Sequence, residues 1–229
     1  MLFDIIRLKF RLRFRTRETA AHILAESLKE SLTEERRKNA VVLGIPRGGV
    51  VLASIIATKL GCKFDIIVPM RLSSPLDIET TIGAIMEDGT TYLNEEAINR
   101  FLVSKPYLEK EKNRQIWEIR RRISLYRDGR GTVQVKSRTL ILVDDGAASG
   151  STLIAAARWL KRQTDLPQYL LIAIPVAPRS TVNLLRKEVN HVEAITIPAD
   201  SIFRSVEQYY HNFAPVSDER VVNIMTNTD

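Results

Sequence analysis

The sequence predicts an α/β protein, a parallel sheet with flanking helices that is interrupted by a helical insertion. Three observations predict it. Short, nearly uninterrupted apolar runs fall at residues 40–46, 64–70, 139–143, 169–176 and 193–198, as expected of strands buried on both faces. Helical periodicities at 50–60, 151–162 and 179–189 alternate with them, and that alternation requires right-handed crossovers between parallel strands. A hairpin, 82–86 with 90–93, and then a charged helical stretch, 95–127, separate the second run from the third. Ile116, Ile119, Ile123 and Tyr126 recur at helical spacing within that stretch. The apolar stripe they form is expected to pack on the sheet or on a second subunit, with the charges solvated.

Composition bounds the rest. At 229 residues and 45% hydrophobic, the chain is long enough for one domain with an appendage and can bury a substantial core. Its single cysteine, Cys62, has no internal disulfide partner and ends an apolar helix. It is expected in the core of a cytoplasmic protein rather than as a nucleophile. The longest apolar run, 169–177, contains Pro175 and falls well short of the roughly 20 residues that span a bilayer, so no membrane association is expected. Residues 6–15 alternate strictly between apolar and basic side chains and supply much of the +7 net charge. The reading is a surface strand with a solvated basic face. Contact with RNA, an acidic membrane surface or a partner's sheet edge is the alternative.

Taken in chain order, the run 40–46 leads into Pro46, Arg47, Gly48 and Gly49 before the apolar helix. Two glycines permit backbone conformations closed to other residues, and Arg47 adds a cation at the C-terminal edge of the sheet. That combination suits an anion such as pyrophosphate. The run 64–70 delivers a second cation, Arg71, followed by a loop that carries Glu79. The run Thr139–Val143 ends in Asp144 and Asp145, at the edge where open α/β sheets place their ligands. Gly146, Ala147, Ala148, Ser149 and Gly150 leave the next turn nearly bare, and Ser151 and Thr152 open a helix whose positive dipole end faces the same place. A phosphate suits the turn, and two carboxylates suit sugar hydroxyls. The joint demand is for a sugar phosphate. A plain acidic helix cap would need only one Asp.

Residues 143–152 resemble the 5-phosphoribosyl-1-pyrophosphate (PRPP) motif of type I phosphoribosyltransferases, with Ser149 in place of the usual Thr. The resemblance implies that fold, with a C-terminal hood over the ribose. It implies that Asp144 and Asp145 bind the ribose hydroxyls and that the backbone from Gly146 to Thr152 binds the 5′-phosphate. It also implies that the loop after the first core strand binds pyrophosphate and often contains a cis peptide. Ala148 stands where enzymes acting on 6-oxopurines commonly carry an aspartate, so that general base is missing from this loop.

Beyond the motif, a branch of the superfamily described as predicted phosphoribosyltransferases is similar to this chain from about residue 14 to 222. The shared features include Ile82-Gly-Ala84, Leu93-Asn-Glu-Glu-Ala97, Ile174-Pro-Val-Ala-Pro178 and Val216-Ser-Asp-Glu219. Met70, Ser73 and Leu76 depart from it where the branch has Arg and glycines. The implied organisation is a basic strand and helix in 1–35, a phosphoribosyltransferase core in 36–198 and a hood in 199–229. In the hood, Phe203 and Tyr209 either stack on a nucleobase or pack a small core, with Arg204, Tyr210 and Gln208 beside them.

The expected function is transfer of phosphoribosyl from PRPP to a nucleobase-like or other nitrogen acceptor. Arg47, Arg71, Asp144 and Asp145 would be catalytic, and Gly48, Gly49 and Glu79 would contact substrate. Mg²⁺ would be carried by PRPP near Asp144 and Asp145 rather than bound by a protein site, and a homodimer is implied. The alternative is a PRPP- or nucleotide-sensing regulator with little or no turnover, whose basic N-terminal strand could contact nucleic acid. A kinase- or phosphatase-like activity ranks below both, because no P-loop lysine motif is present.

Overall fold

The computed structural model describes residues 13–131, 135–163 and 166–227. Most of the alternating basic stretch therefore lies outside the described residues, and Arg13 to Arg15 are its described part.

The first helix, α1 (Arg17–Ser31), begins where the Thr16 side chain accepts a hydrogen bond from the Thr19 N–H, and it buries Ala21, Leu24 and Leu28 on one face. A short α2 (Glu34–Lys38), capped by Thr33, leads into β1 (Ala40–Gly44), which is buried throughout. Helix α3 (Gly48–Leu60) follows and stops at Gly61, whose φ of 66° is the left-handed conformation that glycine adopts without strain. Strand β2 (Lys63–Ile66) completes the first crossover.

The chain then leaves this sheet. Strands β3 (Met70–Ser73), β4 (Thr81–Ile85) and β5 (Thr91–Leu93) form a separate antiparallel sheet. The expected strand over 64–70 thus ends early, because Pro69 has no N–H to continue the ladder beyond the bond from Ile67 N to Gly44 O (3.1 Å). Arg71 accordingly sits opposite Ala84 in the small sheet and not at the edge of the large one.

The expected helix over 95–127 is two helices, α4 (Glu95–Arg100) and α5 (Lys105–Arg127). Leu102 adopts a φ of 49° between them, and Ser104 caps α5 with Pro106 in its first turn. The stripe Ile116, Ile119, Ile123 and Tyr126 packs on β3, β4 and a C-terminal helix, in a cluster with Leu72, Ile82, Val221 and Met225. Ile66, at the end of β2, belongs to the same cluster, so the stripe also reaches the edge of the five-stranded sheet.

The remaining elements restore the alternation: β6 (Thr139–Val143), α6 (Ser151–Leu160), β7 (Tyr169–Val176), α7 (Arg179–Leu185) and β8 (His191–Thr196). A 3₁₀ turn (Glu207–Tyr209) and α8 (Asp218–Thr226) finish the chain. The large sheet is parallel, in the order β2-β1-β6-β7-β8. Successive side chains point to opposite faces. Leu140 and Leu142 face the layer containing α6 and α7, while Ile141 and Val143 face the layer containing α1 and α3.

The first and last described segments join: Phe14 bridges Tyr210, and the Phe14 N–H donates to Tyr209 O at 2.8 Å. Strands β1 and β6 are neighbours, with Gly44 opposite Val143. That pairing sets the loops after them side by side.

Ile141 is fully buried at the centre of the sheet. Ile141→Ala is expected to cost about 3 kcal/mol and to lower the melting temperature by roughly 6–12 °C. Calorimetry checks this, and a loss of under a degree would mean that the site repacks.

Candidate active site

At the end of β1 the peptide bond between Pro46 and Arg47 is cis, and Gly48 opens α3. Neither Gly48 nor Gly49 has a positive φ, so the expectation that they supply unusual backbone conformations is corrected. What they supply is the absence of a side chain. A Cβ on Gly48 would lie 1.9 Å from Asp145 Oδ2, and one on Gly49 would lie 2.5 Å from the Val143 carbonyl oxygen and 2.9 Å from Asp144 Cα. The two loops touch, and the contact is between the first glycines of α3 and the acid pair that follows β6.

The turn after the acid pair is fixed from several sides. The Ala147 N–H donates to Val176 O at 2.9 Å. Gly146 (φ 155°) passes so near Val206 that a Cβ would fall 2.5 Å from its Cγ1, and Gly150 takes a φ of 71° at the start of α6. Thr181 Oγ1 donates to the Ala148 carbonyl. The Ser149 and Ser151 hydroxyls lie 3.0 Å apart. Ala148 and Ser149 are exposed while Ser151 is buried, so the bare crest of the turn faces solvent above the N-terminus of α6. Thr152 is in the first turn of that helix.

The acid pair carries the main electrostatic strain of the site. Asp144 Oδ1 accepts the Asp145 N–H at 2.8 Å. Burial, and then the adjacent Asp145 charge, push the Asp144 carboxyl well above the usual carboxylate range. Asp145 is also raised by burial, but the Arg17 guanidinium beside it opposes the shift. Arg17 Nε donates to Asp145 Oδ2 at 2.7 Å. Charge therefore stays on Asp145, and Asp144 is the member that takes a proton first.

The expected cations are placed differently from one another. Arg47 turns toward α8, its Nη1 3.7 Å from Asp218 Oδ1, and Asp218 also accepts the Tyr126 hydroxyl at 2.6 Å. Arg71 Nη2 lies 3.6 Å from Glu79 Oε2, across the loop between β3 and β4. Asp77 folds that loop by accepting the Glu79 N–H (3.0 Å) and the Thr80 hydroxyl (2.6 Å). At its base, the Tyr107 hydroxyl donates to Ser73 O at 3.0 Å. Leu76 and Ile78 are exposed on it.

In the hood, Phe203 stacks on Tyr209 with ring centres 5.9 Å apart. Tyr209 is buried with the core face that holds Ile141, and Gln208 ties its own loop through the Arg204 N–H and Ile202 O.

Reading the residues in sequence did not single out Arg17, and gave Tyr210 and Phe213 no role at the acid pair. The Tyr210 hydroxyl donates to the Asp145 carbonyl at 2.7 Å, and the Arg17 guanidinium lies 3.8 Å from the centre of the Phe213 ring. One signal pointed to Arg17: it shares the spacing of Ala21, Leu24 and Leu28, so a cation stands on the apolar stripe of α1. Cys62 is partly buried, and burial pushes its thiol up to about 11, which suits a core residue and not a nucleophile. Among the described residues, no group of three or more His, Cys, Asp or Glu side chains could hold a metal ion, and no helix is long and apolar enough to cross a membrane.

Residues 16–213 match the family model of the phosphoribosyl transferase domain. The chain belongs to this family. The crystal structure of TT1426 from Thermus thermophilus superposes with a TM-score of 0.74 at 36% identity, over 93% of this chain and 98% of that one. Two Mycobacterium tuberculosis proteins, from strains CDC 1551 / Oshkosh and ATCC 25618 / H37Rv, are provisionally named phosphoribosyl transferases. Each is 32% identical over 185 residues, or 81% of this chain and 41% of the relative. The chain thus spans about two fifths of their length. In this phosphoribosyl transferase domain the parallel sheet is the type I fold, and Asp144 and Asp145, at the head of the turn 144–152, are brought against Gly48 and Gly49.

The raised Asp144 carboxyl has a defined effect on stability. The folded protein holds this proton to a higher pH than the unfolded chain does. Between the ordinary value of 3.8 and the raised one, stability therefore falls as pH rises. Asp144→Asn is expected to stabilise the domain by about 1 kcal/mol at neutral pH, with the gain vanishing near pH ~4. Thermal unfolding across pH checks it, and an equal gain at acid pH would refute the assignment. Gly49→Ala, whose Cβ meets backbone, is expected to cost about 1–3 kcal/mol in denaturant unfolding.

Proposed function

We propose that this protein transfers the 5-phosphoribosyl group of PRPP to a nitrogen acceptor and releases pyrophosphate. The observation that carries the reading is the contact of Gly48 and Gly49 with Asp144 and Asp145. It puts the turn after β6 and the loop after β1 at adjacent strand ends, an arrangement that would suit a donor with phosphate at one end and pyrophosphate at the other.

On this reading the turn from Gly146 to Thr152 holds the 5′-phosphate, and Asp144 and Asp145 hold the ribose hydroxyls. The backbone of Gly48 and Gly49 faces the leaving group. The bond from the ribose C1′ to pyrophosphate oxygen breaks with its electron pair leaving on pyrophosphate, and the acceptor nitrogen forms the new bond to C1′. The protein's part is to fix the geometry and to place the Asp145 charge near a ring that becomes cationic. The acceptor's proton does not go to residue 148, which is alanine. The acceptor is therefore a nitrogen that needs no carboxylate base from this turn, or one served from elsewhere.

The donor set also bears on magnesium. Two carboxylates, one already ion-paired to Arg17, fit a cation held chiefly by the oxygens of PRPP, for which Mg²⁺ would neutralise the pyrophosphate charge. The loop bearing Leu76, Ile78 and Glu79, clipped by Asp77, is the segment that would cover the donor.

A second reading, a PRPP sensor without turnover, is favoured by one observation. Ser73 and Leu76 stand in the segment where glycines would give the mobility that closure over a reaction needs, and the Tyr107 hydroxyl ties Ser73 O at 3.0 Å.

Titration calorimetry with Mg·PRPP, and pyrophosphate release against a panel of nucleobases and other nitrogen acceptors, test both readings. Binding with release from at least one acceptor is expected, and the double change Asp144→Asn, Asp145→Asn should abolish binding without loss of helical signal. Binding without release from any acceptor would favour the sensor, and no binding by the unaltered protein would remove both readings.

A further inference from the structure

We propose that Arg17 is a positioning residue of the ribose site, holding the acid pair in the arrangement that receives the sugar hydroxyls. The inference rests on the reading of Asp144 and Asp145 as the ribose site.

Arg17 comes from the first turn of α1 and reaches Asp145, which is 128 positions away in sequence. Its guanidinium has three partners in three directions. Nε donates to Asp145 Oδ2 at 2.7 Å, Nη1 donates to the Ala214 carbonyl at 2.8 Å, and the planar face lies 3.8 Å from the centre of the Phe213 ring. Both charged side chains are shielded, Arg17 being 10% exposed and Asp145 15%. A planar fork with several fixed donors suits this role better than a lysine, whose ammonium is a point charge on a flexible stem.

Asp145 is constrained from its other sides as well. The Tyr210 hydroxyl donates to its carbonyl at 2.7 Å, and its Oδ2 occupies the space a Cβ of Gly48 would fill. The Asp145 N–H in turn donates to Asp144 Oδ1 at 2.8 Å. The order of support therefore runs from Phe213 and Ala214 through Arg17 to Asp145, and from Asp145 to Asp144. Arg17 is the element in that series that joins the hood to the ribose site by charge.

The opposite role is that of a latch, in which Arg17 occupies Asp145 and must leave before a sugar binds. The geometry points away from it. Leaving would strip a shielded guanidinium of a carboxylate, a carbonyl and an aromatic face together, and truncating or separating a buried pair is costly.

The experiment is titration calorimetry with Mg·PRPP on the full chain as wild type, Arg17→Met, Arg17→Lys, Asp145→Asn, and the double variant Arg17→Met with Asp145→Asn. Circular dichroism serves as the check on folding. Arg17→Met is expected to weaken binding by about tenfold or more, and Arg17→Lys to fall between it and wild type. The double variant should be no weaker than the worse single one, since contacting residues in one network are coupled. Should Arg17→Met fail to fold, Arg17→Lys carries the test: weaker binding with an unchanged fold supports positioning. Binding as tight as wild type or tighter in either Arg17 variant, or losses that multiply in the double variant, would overturn the inference. If wild type itself does not bind Mg·PRPP, the proposed function fails first, and the two failures are thereby told apart.

Discussion

Two loops meet at the C-terminal ends of neighbouring strands without room for one extra carbon between them. The Asp145 carboxylate rests where Gly48 would carry a Cβ, and the backbone of Val143 and Asp144 rests where Gly49 would. Parallel strands with crossover helices bring the ends of β1 and β6 to the same edge, and the register of Gly44 against Val143 fixes their level. Glycine then lets the start of α3 close the remaining gap. Any displacement of α1, α3 or the hood that changed this contact would separate the acid pair from the loop that faces it.

The contact brings two carboxylates into a shielded place, which no stability argument would choose. Burial raises both, and the Asp145 charge raises Asp144 further. One guanidinium cannot neutralise two charges, so the pair resolves into an anion, Asp145, and a neighbour that gives up its charge readily. That asymmetry is what a site for vicinal hydroxyls can use: one group that accepts strongly and one able to donate or accept as its proton allows. The surrounding fold compensates by placing Arg17, Tyr210 and Phe213 around Asp145, all from segments outside the βα core.

Those segments explain what could and could not be read along the chain. The strands 139–143 and 169–176 were legible because burial on both faces leaves an unbroken apolar run, and the turn 144–152 because its chemistry is contiguous. The apolar run 64–70 overstates its strand, since apolar character continues past Pro69 although the ladder does not, and Arg71 lies in the other sheet. The glycines were recognised for the wrong reason, since close approach depends on a partner distant in sequence. Arg17 was hidden for the same cause. Residue 17 and residue 145 meet only after the whole sheet has formed, and the apolar periodicity around Arg17 could say that it was covered but not by what. Phe203 and Tyr209 left two readings open, and the structure stacks them on each other, with Tyr209 in the core.

The ion pairs around the site fall into two kinds, and their magnitudes separate their uses. Arg47 with Asp218, at 3.7 Å, and Arg71 with Glu79, at 3.6 Å, are long pairs whose arginines are 44% and 45% exposed. Such pairs contribute at most about 1 kcal/mol. A doubly charged phosphate group offers more to either arginine than the carboxylate it would replace, so on the proposed reading these pairs can open as a ligand arrives. The pair of Arg17 with Asp145 is shorter, at 2.7 Å, and shielded, and breaking a pair of that kind costs several kcal/mol. A ligand would have to repay that loss before gaining anything. The same protein thus holds exchangeable cations where a leaving group would be received and released, and a fixed one where the sugar would be held. Asp218 adds a further consequence, because it also binds Tyr126 and Arg121 of α5. When Arg47 exchanges partners, the carboxylate it leaves remains satisfied, and the C-terminal helix need not move.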